Sequence, residues 1–218
     1  MKEDYTHLSV ILDRSGSMSS IRDDTIGGFN AFLHDQQAQA GTATLTLVQF
    51  DTQDAYEVIH HFRPIGEVPP LTRDTFVPRG GTPLLDAMGR GLNDLESCLA
   101  KLAPADRPAK VVLVVVTDGQ ENSSREFTKA TVAGMIKEKT EQQDWQFVFL
   151  SADLAAIGEA RDLGLDPDKM LLHQKDARGT AASYESLSQR TSDYRAGRKR
   201  KIGFEASDRE HPEDPNRK

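Results

Sequence analysis

The chain has 218 residues, a formal net charge of −7 and 37% hydrophobic residues, enough to build a core and too apolar for wholesale disorder. No apolar run approaches the ~20 residues that span a bilayer. The start, Met1-Lys2-Glu3-Asp4, lacks a signal-peptide apolar region, and a lone cysteine, Cys98, rules out an intramolecular disulfide. These features predict a cytoplasmic protein of bacterial or phage type in a reducing compartment with no membrane partner, and the negative charge argues against general nucleic-acid binding.

Strand and helix patterns alternate along the chain. Leu8-Ser9-Val10-Ile11-Leu12 reads as a buried strand, and Ile21, Thr25, Gly28, Phe29, Phe32 and Leu33 then recur at helical spacing. Ser19 or Ser20 is expected to cap that helix. Thr44–Phe50 and Ala55–His60 are separated only by Asp51 to Asp54, so they form a hairpin. A parallel pair would need a crossover of about a dozen residues or more, so the second is an antiparallel edge strand.

A loop broken by Pro64, Gly66, Pro69, Pro70, Pro78, Gly80 and Gly81 follows. Leu84, Leu85, Met88, Leu92, Leu95 and Leu99 then line one face of a second helix. Val111–Val116 is a buried strand, Thr128–Thr140 a helix and Trp145–Leu150 another buried strand. A helix over Leu154–Leu163, capped by Asp153, and a short strand at Met170–Leu172 complete the alternation. This order predicts an α/β fold: a doubly wound, mostly parallel sheet with helices on both faces.

The chain divides into a main domain over 1–175, a C-terminal helical extension over 176–200 and a charged tail over 201–218. The helix of the extension falls at Gly179–Tyr194. Arg195–Lys201 is a cationic run without interleaved aromatics and reads as solvated. The end of the chain, rich in charge and turn formers, is expected to be disordered when unpaired.

Three distant segments share one chemistry: Asp13-Arg14-Ser15-Gly16-Ser17, Gly80-Gly81-Thr82-Pro83 and Thr117-Asp118-Gly119. The first and third follow strands, and open α/β sheets place ligands at the carboxyl ends of their strands. Asp13, Ser15 and Ser17 alternate, so they can converge on one point. Two carboxylates and three hydroxyls are hard donors that suit Mg²⁺ or Mn²⁺ and not zinc.

Asp-x-Ser-x-Ser, then a threonine, then an aspartate resembles the metal-ion-dependent adhesion site of the von Willebrand factor type A domains. The resemblance covers Thr6 to His173, and the five positions read Asp13, Ser15, Ser17, Thr82 and Asp118 without departure. It implies that Ser15, Ser17 and Thr82 hold Mg²⁺ or Mn²⁺ directly, and Asp13 and Asp118 directly or through water. It further implies a non-enzymatic interaction module in which a partner's Asp or Glu completes the metal shell. AAA+ ATPases of the MoxR type, kinases and phosphatases are the partners the resemblance suggests. Arg22, Arg73, Arg79 and Arg125, in loops expected to rim the site, would favour an acidic partner segment.

Two alternatives stand beside this reading: a metal-dependent phosphoester hydrolase or phosphotransferase, and an adaptor with a purely structural metal. Neither serine lies in a Gly-x-Ser-x-Gly elbow, and no phosphate loop is present. His60 and His61 adjoin on a strand and should point to opposite faces. No His, Cys or carboxylate spacing reads as a zinc site.

Overall fold

The computed structural model describes residues 2–209. Six strands, β1 (Lys2–Asp13), β2 (Thr42–Phe50), β3 (Glu57–Pro64), β4 (Pro108–Thr117), β5 (Gln146–Ser151) and β6 (Met170–Leu172), form one sheet in the order β3-β2-β1-β4-β5-β6. All neighbours are parallel except β2 and β3, so β3 is the antiparallel edge. The long helices are α1 (Arg22–Ala38), α2 (Leu84–Lys101), α3 (Lys129–Gln143), α4 (Leu154–Asp162) and α5 (Ala177–Arg195), with a short α6 (Ala206–Arg209). Among the described residues no helix is long and apolar enough to cross a membrane.

The period of two in the strands sorts their side chains into two cores. Leu8, Val10 and Leu12 of β1 join Val112, Val114 and Val116 of β4 and the aromatic residues of α1 and α5. Ile11, with Val111, Leu113 and Val115, packs on the other face against α2, α3 and α4. β1 and β4 are covered on both faces, which explains their near-continuous apolar runs.

Two expectations need correction. Residues Gly16–Ile21 form a 3-10 turn that leads straight into α1, and Ile21 at its start makes no side-chain cap. Ser20 donates instead to the Ser17 carbonyl, because the turn already satisfies the helix's first amides locally. The tail does not begin at 201 as a disordered segment: Ile202 and Phe204 are buried with α1 and α5. The apolar pair outweighs its charged neighbours there, since Arg190 takes up Glu205 and Asp208 in ion pairs. The rest of the tail, 210–218, lies outside the described residues. Asp153 does cap α4, accepting from the amides of Ala155 and Ala156.

α5 lies against α1 along much of its length. Tyr184 and Leu187 are buried, and Gln36 of α1 donates to Ser188 and Ser192 of α5. Arg195, the first residue of the cationic run, is buried too, with its guanidinium on the carbonyl of Gln36. A polar seam of this kind fixes the helix pair in register as well as in contact.

Candidate metal centre

The carboxyl ends of β1 and β4 are adjacent, so Asp13 and Asp118 arrive side by side. The Asp13 carboxylate accepts from the Ser15 amide at 2.6 Å and from the Thr117 hydroxyl at 2.6 Å. Ser17 Oγ donates to Asp118 Oδ1 at 2.6 Å and lies 3.0 Å from Ser15 Oγ. Ser15 Oγ thus stands between Ser17 Oγ and the Asp13 carboxylate, to which its side chain also hydrogen-bonds. Asp13, Ser15, Thr82 and Asp118 are buried, whereas Gly16 and Ser17 are exposed. The cluster therefore opens to solvent on the Ser17 side.

Thr82 is brought in by backbone. The Gly16 amide donates to the Gly80 carbonyl at 2.9 Å, and Gly80 adopts φ +68°, a region that L side chains rarely occupy. A Cβ on Gly119 would sit 3.3 Å from Ser17 Oγ and 3.5 Å from Thr82 Oγ1. One small space is thus bounded by hydroxyls from the first and second segments and by the backbone of the third. All five residues singled out from sequence meet there. The donor set fits a hard divalent cation, being made only of carboxylate and hydroxyl oxygens.

Electrostatics agree with that fit. Burial pushes the Asp13 carboxyl up to about 6, against the hydrogen bonds from Thr117 and Ser15 that pull it down; the charge of Asp118 adds to the rise. Two acids so close are costly without a countercharge. Asp118 Oδ2 is buried, accepts no well-aligned hydrogen bond, and faces the Lys175 ammonium at 2.5 Å. Lys175 precedes α5, and nothing in the local sequence signals that it reaches this cluster.

Residues not singled out from sequence hold the three loops in place. Arg14, between two of the cluster residues, turns away and is buried on Asp51 at 2.5 Å. Asp51 also receives Arg79. Burial works against the Asp51 charge, yet the Arg14, Gln53 and Arg79 hydrogen bonds hold the carboxyl below its ordinary value. Asn122 grips Thr82 from both sides, accepting from its amide at 2.9 Å and donating its own amide to the Thr82 carbonyl. The buried Asp86 carboxylate at the start of α2 accepts the amides of Arg125, Glu126 and Phe127. The loop after Asp118 is thereby fastened to the helix after Thr82.

The arginines around the opening are less available than their sequence positions suggest. Arg73 is paired with Asp23, and Arg79 with Asp51 and Glu57. Arg22 is turned onto the carbonyls of Arg73 and Phe76 and forms no ion pair among the described residues, though its charge, after the Arg73 hydrogen bond, helps hold the Asp23 carboxyl down. Arg125 forms no ion pair among the described residues. Acidic neighbours from other elements, invisible to local reading, neutralise two of the four.

No protein-family model matches the chain, and no curated protein sequence does. Solved structures do. The pilus adhesin SpaC of Lactobacillus rhamnosus GG superposes with a TM-score of 0.62 at 12% identity, over 88% of this chain and 30% of that one. A von Willebrand factor type A protein of Catenulispora acidiphila gives 0.55 at 13% identity, over 86% and 43%. Proximal thread matrix protein 1 of the mussel byssus, solved with zinc in its metal-ion-dependent adhesion site, gives 0.58 at 14% identity, over 88% and 47%. The chain thus spans a third to a half of the length of these proteins. These superpositions over most of the chain show that it has the fold of the von Willebrand factor type A domains.

Proposed function

We propose that the chain is a non-enzymatic interaction module that binds a partner protein through a divalent metal. Asp13, Ser15, Ser17, Thr82 and Asp118 would hold Mg²⁺ or Mn²⁺, and an Asp or Glu of the partner would complete the shell. The observation that carries this reading is the convergence of five hard oxygen donors from three loops around one solvent-facing opening. The two carboxylates balance the ion formally, but where they act through water its inner shell would hold only the neutral hydroxyls of Ser15, Ser17 and Thr82, and an added carboxylate would be welcome there. A hard octahedral ion commonly keeps positions for water, and one of these is where the carboxylate enters. The zinc in the byssus protein and the manganese-loaded form of the TRAP protein of Plasmodium vivax support a divalent occupant for this fold.

When bound, the ion would supply a Lewis-acid position for a carboxylate of the partner. The chain's own residues do the rest. Asp118 orients the Ser17 hydroxyl, and Thr117 orients Asp13. Arg22 and Arg125, on loops expected to rim the opening, would supply positive charge there, which favours an acidic partner segment. An AAA+ ATPase of the MoxR type, a kinase or a phosphatase in the cytoplasm is the partner class of this proposal.

The test is retention of lysate proteins on immobilised chain in Mg²⁺ and in EDTA. A partner retained only with Mg²⁺, and lost with Ser17→Ala, is the expected result. Equal retention by the Asp13→Ala/Ser15→Ala double variant, shown folded by its circular dichroism, refutes it.

A further inference from the structure

His61, Asp94 and Cys98 come together on the flank of the sheet, well away from the opening just described. Asp94 and Cys98 are four residues apart on α2 and so share one face of it. Asp94 lies about 15 Å along the helix from Leu84, which adjoins Thr82. His61 reaches them from β3. Its Nε2 is 3.3 Å from Cys98 Sγ and 3.3 Å from Asp94 Oδ2, and Cys98 Sγ is 3.8 Å from Asp94 Oδ1.

A fault in the strand puts His61 there. Leu45 pairs with Arg63 and Leu47 with His60, so the single residue Thr46 faces both His61 and Phe62. Phe62 takes φ 45° and its amide turns onto Thr46 Oγ1. The extra residue breaks the alternation of the strand, as bulges do when they re-aim a side chain. Phe62 stays on the α2 side, stacked on buried His7 at 3.8 Å between ring centres, and His61 is displaced to the rim above Asp94 and Cys98.

We propose that His61, Asp94 and Cys98 form a second metal site, for a transition metal of borderline softness with zinc as its natural occupant. The spacing matches the chemistry. Tetrahedral zinc with bonds of about 2.0 Å to nitrogen or oxygen and 2.3 Å to sulfur sets its ligands roughly 3.3–3.6 Å apart. His61 Nε2 is 3.3 Å from Cys98 Sγ and 3.3 Å from Asp94 Oδ2, Cys98 Sγ is 3.8 Å from the other carboxylate oxygen Oδ1, and one ligand atom from each residue lies within 4.8 Å of the others. Ligand type agrees as well, since imidazole and thiolate select zinc over the hard cations.

The geometry disfavours a nucleophilic cysteine. In a relay of that kind the carboxylate would orient the histidine through Nδ1 while the thiol met Nε2. Here Asp94 and Cys98 both approach Nε2, so three heteroatoms aim at one point rather than forming a chain. Burial and the Asp94 charge raise the Cys98 thiol above its ordinary value, and a bound cation is what would deprotonate it. His61 and Asp94 are partly exposed, which leaves the fourth position of the ion accessible to water or to an external donor.

Cobalt titration tests this directly, because Cys98 is the only cysteine and a thiolate-to-cobalt charge-transfer band can arise from no other residue. The full chain is titrated with Co²⁺ under reducing conditions with Mg²⁺ in excess. The band should saturate at one equivalent, vanish in Cys98→Ser, and need at least tenfold more Co²⁺ in His61→Ala and in Asp94→Asn. No band with the wild-type chain overturns the assignment. So does saturation at half an equivalent, which means two chains sharing the ion, or a band indifferent to both His61→Ala and Asp94→Asn.

Discussion

Replacing Lys175 with methionine tests the electrostatics of the main site. Its ammonium lies 2.5 Å from Asp118 Oδ2, so a divalent ion bound to that carboxylate would sit within about 4.5 Å of it, given Mg–O bonds near 2.1 Å. If the lysine stays, a single against a double charge at that distance repels by about 2 kcal/mol even at the permittivity of water. If it swings out, the loss is an ion pair between a buried carboxylate and a lysine with 38% of its side chain exposed. Exposed pairs contribute roughly 0.2–1 kcal/mol, and the burial of Asp118 sets this one at the top of that range. The chain takes the cheaper route, so Lys175 opposes metal by about 1 kcal/mol. Lys175→Met should therefore bind Mg²⁺ about fivefold more tightly by titration calorimetry at low salt. The gain should shrink as ionic strength rises. An affinity equal to or weaker than wild type at low salt would refute the reasoning.

Three further outcomes are expected. Gly28→Ala places a Cβ 2.2 Å from the Tyr184 ring in the α1–α5 contact; overpacking of about 1–3 kcal/mol outweighs the helix-propensity gain of about 1 kcal/mol, so the urea midpoint should fall. Asp86→Ala strands three amides of the loop after Asp118 and should cost about 2 kcal/mol or more in urea unfolding, with Mg²⁺ affinity reduced by the loosened loop. Burial, with His61 nearby, lowers the His7 imidazole to about 3, so its neutral form contributes stability that is whole above 6.5 and is lost as pH falls toward 3. At pH 5 the loss is about 2 kcal/mol, and His7→Phe, which keeps the stack on Phe62, should remove that part of the acid destabilisation in metal-free unfolding curves.

Much of the fold is legible in the residues because each strand signals its own burial. The unbroken apolar run of β4, five valines and Leu113, can only be a doubly covered strand, and the short link from Phe50 to Ala55 forces an antiparallel neighbour. The five oxygen donors are legible for a related reason: each follows a strand or a glycine turn that determines where it points. What escapes is whatever depends on side chains reaching across the fold. Lys175 is one lysine among several until β6 and the start of α5 carry it to Asp118. The pairing of Arg73 and Arg79 depends on acids some fifty and twenty-eight residues away. His61 stands apart from any ligand set in a regular strand, which alternates, and only the bulge at Phe62 breaks that rule. Ile202 and Phe204 are hidden by the charge around them.

The length of chain between the parts of the main site has a bearing on how the protein is made. Ser17 and Asp118 are 101 positions apart, and Asp13 and Thr117 are 104 apart. A nascent polypeptide therefore exposes its first carboxylate and two hydroxyls long before their partners leave the ribosome, and it has no way to retain the ion in the interval. Capture of a cation by this cluster would wait until β4 has slotted in beside β1, the central and most remote pairing of the sheet. Under the proposed function a metal would not seed folding but would certify that the central strands have met, so an incompletely folded copy would be unable to display a partner-competent surface.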